Sequence, residues 1–236
     1  ADVNNQDDKY GRTPLSWAAE GNVEVVEWLL EKDGISLNSK DNNGRTPLSW
    51  AAEKRNYGVV RLLLEKDDID LNSKDNNGRT PLSWAAEGGN GEVVQGLLRD
   101  NSIGLNSKDN NGRTPLSWAA GKGNEWAVLQ LLKEDGIDLN SKDYNGRTPL
   151  SWAAEKGDRE VVQCLLSKDG IDVNYKDNNG RTPLSWAAEK RNEKVVQWLL
   201  SKDGIDVNSR DTNGWTPLLW AAENSHLVLV RLLAQR

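Results

Sequence analysis

The residues best suited to covalent or acid–base chemistry in this chain are its one histidine, His226, and its one cysteine, Cys164. A cysteine and a histidine make an activated nucleophile only when their side chains come within hydrogen-bonding reach. These two lie in different sequence repeats, so we expect them to stay apart. We interpret Cys164 as a packing residue and His226 as a local cap or packing residue. The sequence therefore predicts no catalytic residue and no enzyme.

The sequence also lacks the residue patterns of metal and cofactor sites. Zinc needs four ligands, or three and a water, and the single Cys and His do not provide them. Asp-rich segments such as Asp75-Asn76-Asn77-Gly78 lack the ligand spacing and closing Glu of a calcium loop. Glycine patterns for nucleotide phosphates are also missing from the sequence. We expect no metal and no cofactor, and interpret the Asp-rich segments as turns.

The dominant feature of the sequence is an internal repeat. NGRTPLSWAA begins at Asn43, Asn77, Asn111, Asn145 and Asn179, and its tryptophan recurs at intervals of 33 and then 34 residues. A period of this size indicates a stacked array. We expect a single domain over 1–236, with units starting near 8, 41, 75, 109, 143, 177 and 211. Residues 1–7 are interpreted as the tail of a preceding repeat, so the chain would be a segment of a longer array.

Each unit contains the signals of two short helices. In the second unit Thr46 is a favourable N-cap, Pro47 suits the first helical position, and Ser49 can bond back toward the cap. Asn56 is a plausible cap for a second helix, whose apolar stripe is Val59, Val60, Leu63 and Leu64. Because neither helix can bury its apolar face alone, the units should stack into one continuous core.

Connections between units carry turn signals. Lys66-Asp67-Asp68, written Lys-Asp-Gly in later units, should end the second helix, with Gly170 and Gly204 in the left-handed conformation. Ile69-Asp70-Leu71-Asn72 alternates apolar and polar residues, which predicts a short extended piece. Asn76-Asn77-Gly78 predicts a tight turn. Gly96 should weaken its helix by about 1 kcal/mol, which would make the third unit a soft point.

The repeated sequence DNNGRTPLSWAAEKRN, followed by the VV and LLL pattern, resembles the ankyrin repeat. The resemblance covers the whole chain. It implies an all-α solenoid of seven helix-turn-helix units with hairpin-like finger turns, whose concave face binds other proteins. The segment GRTPLSWAAE is similar to segments in the repeat arrays of fungal NOD-like signalling proteins. One departure is Ser49 and its equivalents, where ankyrin units usually have His, so we expect a rewired polar network between repeats.

Composition limits the partner and the location. A net charge of -6 argues against general nucleic-acid binding. No apolar run is long enough to cross a membrane. One cysteine is compatible with a reducing compartment. We expect a cytoplasmic, intracellular protein without membrane contact, monomeric or associating end to end, whose partner is an unidentified protein or peptide and not a nucleic acid.

Three ladders of equivalent residues, one of arginine, one of tryptophan and one of glutamate, mark the expected concave face. Tryptophan should serve mainly in packing, with an aromatic binding strip as the alternative. Arginine should form a solvated face, neutralised by nearby acidic residues, with polyanion binding as the alternative. We also expected exposed aromatic anchors at Trp126, and at Trp215 unless it packs as an end cap. The candidate binding residues are Arg45, Trp50, Glu53, Arg79, Trp84, Arg113, Trp118, Tyr144, Arg147, Trp152, Arg181, Trp186 and Trp215.

The leading functional hypothesis is a non-enzymatic protein–protein interaction module, acting as the recognition segment of a larger signalling or scaffold protein. One alternative is a structural spacer or self-association module, in which uniform repeats maintain length and curvature. A second alternative is polyanion binding through the arginine ladder. The uniformity of the three ladders fits the spacer as well as the binding module, so the sequence leaves these hypotheses open.

Overall fold

The structure, a computed structural model, describes residues 2–236; Ala1, the first residue of the predicted tail, lies outside them. The described chain forms fourteen helices in seven consecutive pairs. The first helices of the pairs are α1 (Pro14–Ala18), α3 (Pro47–Glu53), α5 (Pro81–Gly88), α7 (Pro115–Lys122), α9 (Pro149–Lys156), α11 (Pro183–Glu189) and α13 (Pro217–Glu223). The second helices are α2 (Val23–Leu30), α4 (Tyr57–Leu64), α6 (Gly91–Leu97), α8 (Glu125–Leu131), α10 (Arg159–Leu166), α12 (Glu193–Leu200) and α14 (Leu227–Ala234).

Every first helix begins by the same mechanism. The N-cap threonine accepts a hydrogen bond from the backbone N–H three residues later, and proline follows it. In α3 the Ser49 N–H donates to Thr46 Oγ1 at 3.3 Å, and the two hydroxyls lie 3.2 Å apart. The predicted cap at Thr46 is therefore confirmed. The serines keep this hydrogen bonding within their own unit.

The second helices use two kinds of start. In α4 the Asn56 side chain accepts from the Val59 N–H at 3.3 Å, which confirms the predicted cap. In α8 and α12 the equivalent Asn124 and Asn192 make no cap bond. Their Nδ2 groups donate instead to carbonyls at the C-terminal end of the preceding unit's first helix, at 2.6–3.0 Å. One position thus caps a helix, ties two units together or, at Asn90, does both.

The core runs continuously along the stack. Ala51 and Ala52 are fully buried, and their small side chains let first helices approach closely. Val59, Val60 and Leu63 are also fully buried, as predicted, while Leu64 is half-buried. The main helix–helix contacts lie within a pair or between neighbouring pairs. Stability is therefore shared along a one-dimensional array.

Finger turns join the units through backbone hydrogen bonds. The Asn76 N–H donates to the Asn43 carbonyl of the preceding finger at 2.9 Å, and equivalent bonds recur along the stack. Gly78 has φ +75° and lies beneath the next finger. A Cβ at Gly78 would stand 2.4 Å from the Asn110 side-chain oxygen. Glycine is required here by both backbone conformation and space.

The prediction of an extended piece over Ile69-Asp70-Leu71-Asn72 was wrong. Leu71 and Asn72 form a turn, and no strand occurs within residues 2–236. The reason is a side-chain bridge that takes the place of strand pairing. Asn72 Nδ2 donates to the Ser102 carbonyl at 2.9 Å, and its Oδ1 accepts from the Gly104 N–H at 2.6 Å. The same paired bridge is made by Asn4, Asn38, Asn106, Asn140 and Asn174.

Gly96 has a packing explanation. A Cβ added there would stand 3.0 Å from Tyr57 Cε2, so the tyrosine of the preceding unit occupies the space that a side chain would need. The Tyr57 ring therefore restores part of the packing contact that glycine, without a side chain, cannot make in a helix interior. Gly170 and Gly204 adopt the predicted left-handed conformation, with φ of 84° and 76°.

No helix among residues 2–236 combines the length and apolar character that crossing a bilayer would require.

Candidate interaction surface

Alternating arginine and tryptophan side chains form one column along the array. Each arginine guanidinium lies 3.5–3.8 Å from the ring centroid of its own unit's tryptophan, and 4.0–4.2 Å from that of the next unit. Such cation–π contacts stabilise by about 0.5–2 kcal/mol each. We call this column the Arg–Trp stack; its members, in order, are Trp17, Arg12, Trp50, Arg45, Trp84, Arg79, Trp118, Arg113, Trp152, Arg147, Trp186, Arg181 and Trp220.

Each tryptophan is oriented by an aspartate of its own finger. Trp50 Nε1 donates to Asp41 Oδ2 at 2.9 Å, while Asp41 Oδ1 accepts from the backbone N–H groups of Asn43 and Arg45. The carboxylate thus shapes the finger and fixes the indole plane together. All seven units repeat this bond, through Asp7, Asp41, Asp75, Asp109, Asp143, Asp177 and Asp211.

Five of the six arginines also bind a glutamate at, or in the case of Glu20 just beyond, the end of their own first helix. The nitrogen–oxygen distances are 2.6 Å for Arg12–Glu20, 2.9 Å for Arg45–Glu53 and 2.6 Å for Arg79–Glu87. Arg147 pairs with Glu155, and Arg181 with Glu189. Burial raises the pKa of Glu87, but Lys122 and Arg79 outweigh burial and hold that pKa below its ordinary value. The stack is therefore locally neutralised.

The expectation of a solvated arginine face was wrong. Arg12, Arg45, Arg79, Arg147 and Arg181 are only 4–8% exposed. The indoles on both sides remove water from the guanidinium faces, which Arg tolerates better than Lys because its charge is delocalised and weakly hydrated. Burial lowers the pKa of Arg45, and Glu53 offsets part of this effect. The tryptophans have the predicted packing role, and those from Trp50 to Trp220 are half-buried.

Arg113 is the exception in the stack. The glutamate position of its unit is occupied by Gly121, and no carboxylate within residues 2–236 pairs with Arg113. Its Nη2 donates to the Ser117 carbonyl at 2.9 Å. Burial lowers the pKa of Arg113 to about 10, because the charges of Asp109, Asp143 and Glu87 compensate only in part. The signal in the sequence that could have predicted this gap is Gly121, which interrupts an otherwise regular glutamate ladder.

The two ends of the stack differ. At the C-terminal end Trp215 occupies the arginine position, and its ring lies 4.8 Å from that of Trp220. Trp215 therefore packs as an end cap and is not a freely exposed anchor. At the N-terminal end Trp17 is 44% exposed and meets the edge of Tyr10 at 5.8 Å. The first indole has no arginine on its outer side within the described residues.

Two predicted aromatic anchors lie outside the Arg–Trp stack. Tyr144 follows the fourth unit's connection, on a finger turn, and is 68% exposed. Trp126 lies in the first turn of α8 and is 67% exposed. Of the candidate binding residues, the five arginines and Trp50, Trp84, Trp118, Trp152 and Trp186 belong to the stack. Glu53 and Trp215 contact it through Arg45 and Trp220, and Tyr144 lies apart from it.

His226 and Cys164 have structural surroundings. The His226 ring makes no local cap bond, so that part of the expectation was wrong. Its Nε2 lies 2.8 Å from the Glu189 carbonyl oxygen, which requires Nε2–H as the donor and ties the last two units together. Burial raises the pKa of the Cys164 thiol, which disfavours the reactive thiolate. Within residues 2–236 no group of three His, Cys, Asp or Glu side chains could hold a metal ion.

Comparison with known proteins agrees with this architecture. The family profile described as ankyrin repeats (3 copies) matches residues 1–75, 68–143 and 136–211, and the ankyrin repeat profile matches residues 213–236. A solved structure, the ankyrin repeat domain of Bcl-3, described as a unique member of the IkappaB protein family, is 28% identical with a TM-score of 0.77. That alignment covers 94% of this chain and 99% of the Bcl-3 chain. No curated protein matches the sequence. The chain belongs to the ankyrin repeat family.

Proposed function

We propose that this chain is a protein–protein interaction module that recognises its partner along the finger turns and the outer edge of the Arg–Trp stack. Ankyrin repeats are generally interaction modules and are typically non-enzymatic. The observation that carries the proposal is the construction of the stack. Half-buried indoles line a surface whose arginine charges are, with one exception, already paired. Aromatic side chains held rigidly at a surface are typical of binding hot spots.

Polyanion binding is a weaker proposal. A polyanion needs cations that can reach phosphate or sulfate, whereas the paired arginines are buried. Most of the nearby lysine ammonium groups are also engaged. They donate to backbone carbonyls of the next unit at 2.8–3.0 Å, from Lys40, Lys74, Lys108 and Lys176. These contacts favour a peptide partner over a polyanion.

Self-association has one observation in its favour. In the last unit the apolar side chains Leu219, Leu227 and Val228 are 47–59% exposed. The serines at the Leu219 position of earlier units are buried, whereas Trp126 and Lys194 at the Val228 position are exposed there as well, so Leu219 is the side chain that the end of the array leaves uncovered. A second copy stacked end to end would cover this side chain, and sedimentation velocity over a range of concentrations would detect the dimer.

We further propose that the chain is the recognition segment of a larger intracellular signalling or scaffold protein, with residues 2–7 acting as the end of a preceding unit. Asn4 supports the second part, because it bridges to Gly34 and Ser36 as Asn38 bridges to Asp68 and Asp70. The similarity of GRTPLSWAAE to arrays of fungal NOD-like proteins supports the first part. Immunoblotting of cell extracts for a product larger than 26.2 kDa tests the larger-protein proposal.

Site-specific photo-crosslinking tests the interaction surface. A benzophenone amino acid replaces Tyr144 on the finger, and in a second variant it replaces Gln163 on the exposed side of α10. We expect one defined protein to be crosslinked from position 144, and to be displaced by excess unlabelled chain. The Gln163 variant is the matched control. Crosslinking of the same protein only from position 163 would contradict the proposed surface.

A further inference from the structure

The unpaired guanidinium of Arg113 is the one break in the charge pairing of the Arg–Trp stack. Arg12, Arg45, Arg79, Arg147 and Arg181 each have a carboxylate from their own first helix. Arg113 has the same indoles, with its guanidinium 3.7 Å from the ring centroid of Trp118 and 4.1 Å from that of Trp152. It lacks only the glutamate.

The position of the missing side chain is taken by the guanidinium itself. A Cβ added to Gly121 would stand 2.7 Å from Arg113 Nη2, so the guanidinium extends directly to the position from which a side chain is absent. Arg113 is less completely buried than the paired arginines. Its outer edge is therefore accessible at the place where the other units are covered by carboxylate.

Nearby charged groups cannot supply the missing partner. Glu87 is bound by Arg79 at 2.6 Å and by Lys122 at 3.0 Å. Asp109 accepts from Trp118 Nε1 and from the backbone N–H groups of Asn111 and Arg113. These acidic groups are committed to the fold, and their repulsion of a second anion will keep the affinity modest.

We infer that Arg113, Gly121 and the flanking indoles of Trp118 and Trp152 form a binding site for a single carboxylate group of a partner peptide. The bound carboxylate replaces the absent glutamate and forms a charge-assisted pair with the guanidinium edge. Planar stacking between two indoles fixes the direction of that edge before binding, which reduces the entropy lost on binding. The inference rests on the proposed function, because that function provides a peptide as the source of the carboxylate.

The chain offers matched variants to test this site. Gly121→Glu restores the sequence of the other units and should supply an internal partner to Arg113. Glu155→Gly removes the partner of Arg147 and should create a second site of the same kind. Both variants retain the rest of the repeat, and circular dichroism verifies that they fold. Arg113→Lys removes the Arg113 Nε–H signal and thereby identifies that signal in the NMR spectrum.

The measurement is NMR of the arginine Nε–H groups, titrated with sodium acetate against sodium chloride at equal ionic strength up to about 0.1 M. We expect a saturable shift of the Arg113 signal in the unsubstituted protein. Gly121→Glu should weaken the apparent affinity by about tenfold or more, and Glu155→Gly should add a responding Arg147 signal. Absence of a saturable shift, or an equal response in Gly121→Glu, would overturn the site.

Two peptides test whether the bound carboxylate comes from an acidic side chain or from a C-terminus. One has capped ends and a single internal Glu; the other has a free C-terminal carboxylate and no acidic side chain. We expect at least one to bind more tightly than acetate, and binding by neither would overturn the assignment to a peptide. A protein partner that crosslinks from position 144 and binds Gly121→Glu unchanged would remove this site while leaving the proposed function intact.

Discussion

At the scale of single residues, one buried arginine organises each junction between units. Arg79 contacts the Trp84 ring of its own unit, the Trp118 ring of the next, and the Glu87 carboxylate. Its charge is buried, yet each face of the guanidinium plane contacts an indole ring. The same residue therefore links its own first helix to the indole of the next unit.

Arg79→Lys should lower the free energy of unfolding by about 1–2 kcal/mol, because a lysine cannot stack its charge flat between two indoles or reach Ser83 and Glu87 together. The urea unfolding midpoint measures this change. Arg61→Lys on the exposed side of α4 is the control and should be nearly neutral. Equal midpoints for the two variants would show that the stack contributes little to stability.

At the scale of secondary-structure elements, the connection between the two helices of a unit is strained in some units and not in others. Arg55, Arg191 and Ser225 have φ of 58–61°. The equivalent positions in other units are Gly89, Gly123 and Gly157, with φ of 75–82°. A left-handed backbone costs a residue with a Cβ about 1–2 kcal/mol. The same turn is therefore built with different amounts of strain.

Arg55→Gly should stabilise the protein by up to about 1 kcal/mol, since Arg55 is exposed and only its left-handed backbone is under strain. The thermal midpoint should rise. Lys54→Gly is the neighbouring control: Lys54 has φ −75°, so glycine there should be destabilising. A fall in the midpoint for Arg55→Gly would show that the Arg55 side chain has an additional stabilising contact.

At the scale of the whole molecule, each unit joins its neighbours through the same small set of contacts. These are the finger backbone bond, the Asn bridge, the Arg–Trp contact and the apolar helix faces. Because the junctions are so alike, one unit should be removable without loss of the fold.

Deletion of residues 177–210, which joins Lys176 to Asp211, should leave a folded array of six units. Arg147 would then stack on Trp220, and His226 would meet the Glu155 carbonyl in place of the Glu189 carbonyl. Helical circular dichroism per residue should be unchanged, and the thermal midpoint should fall. Deletion of 177–193, half a unit, is the control. A disordered six-unit protein would contradict nearest-neighbour stability.

Much of the fold could be predicted from the sequence, because caps, prolines and apolar spacing are local signals. Thr46, Asn56 and the valine and leucine stripe of α4 all behave as expected. The arrangement of the candidate surface was harder to predict from the sequence. Neither the burial of Arg45 nor the bridge made by Asn72 follows from local pattern, since both depend on a partner about one repeat away. Gly121 could have been noticed by comparing units.

The Arg–Trp stack also has an optical consequence. Indoles of neighbouring units lie on opposite sides of a single guanidinium, close enough for electronic excitation to hop from one to the next. We expect light absorbed by one of these tryptophans to be shared with its neighbours before it is emitted. Loss of polarisation in the emitted light reports how many consecutive units remain in register, without any attached label.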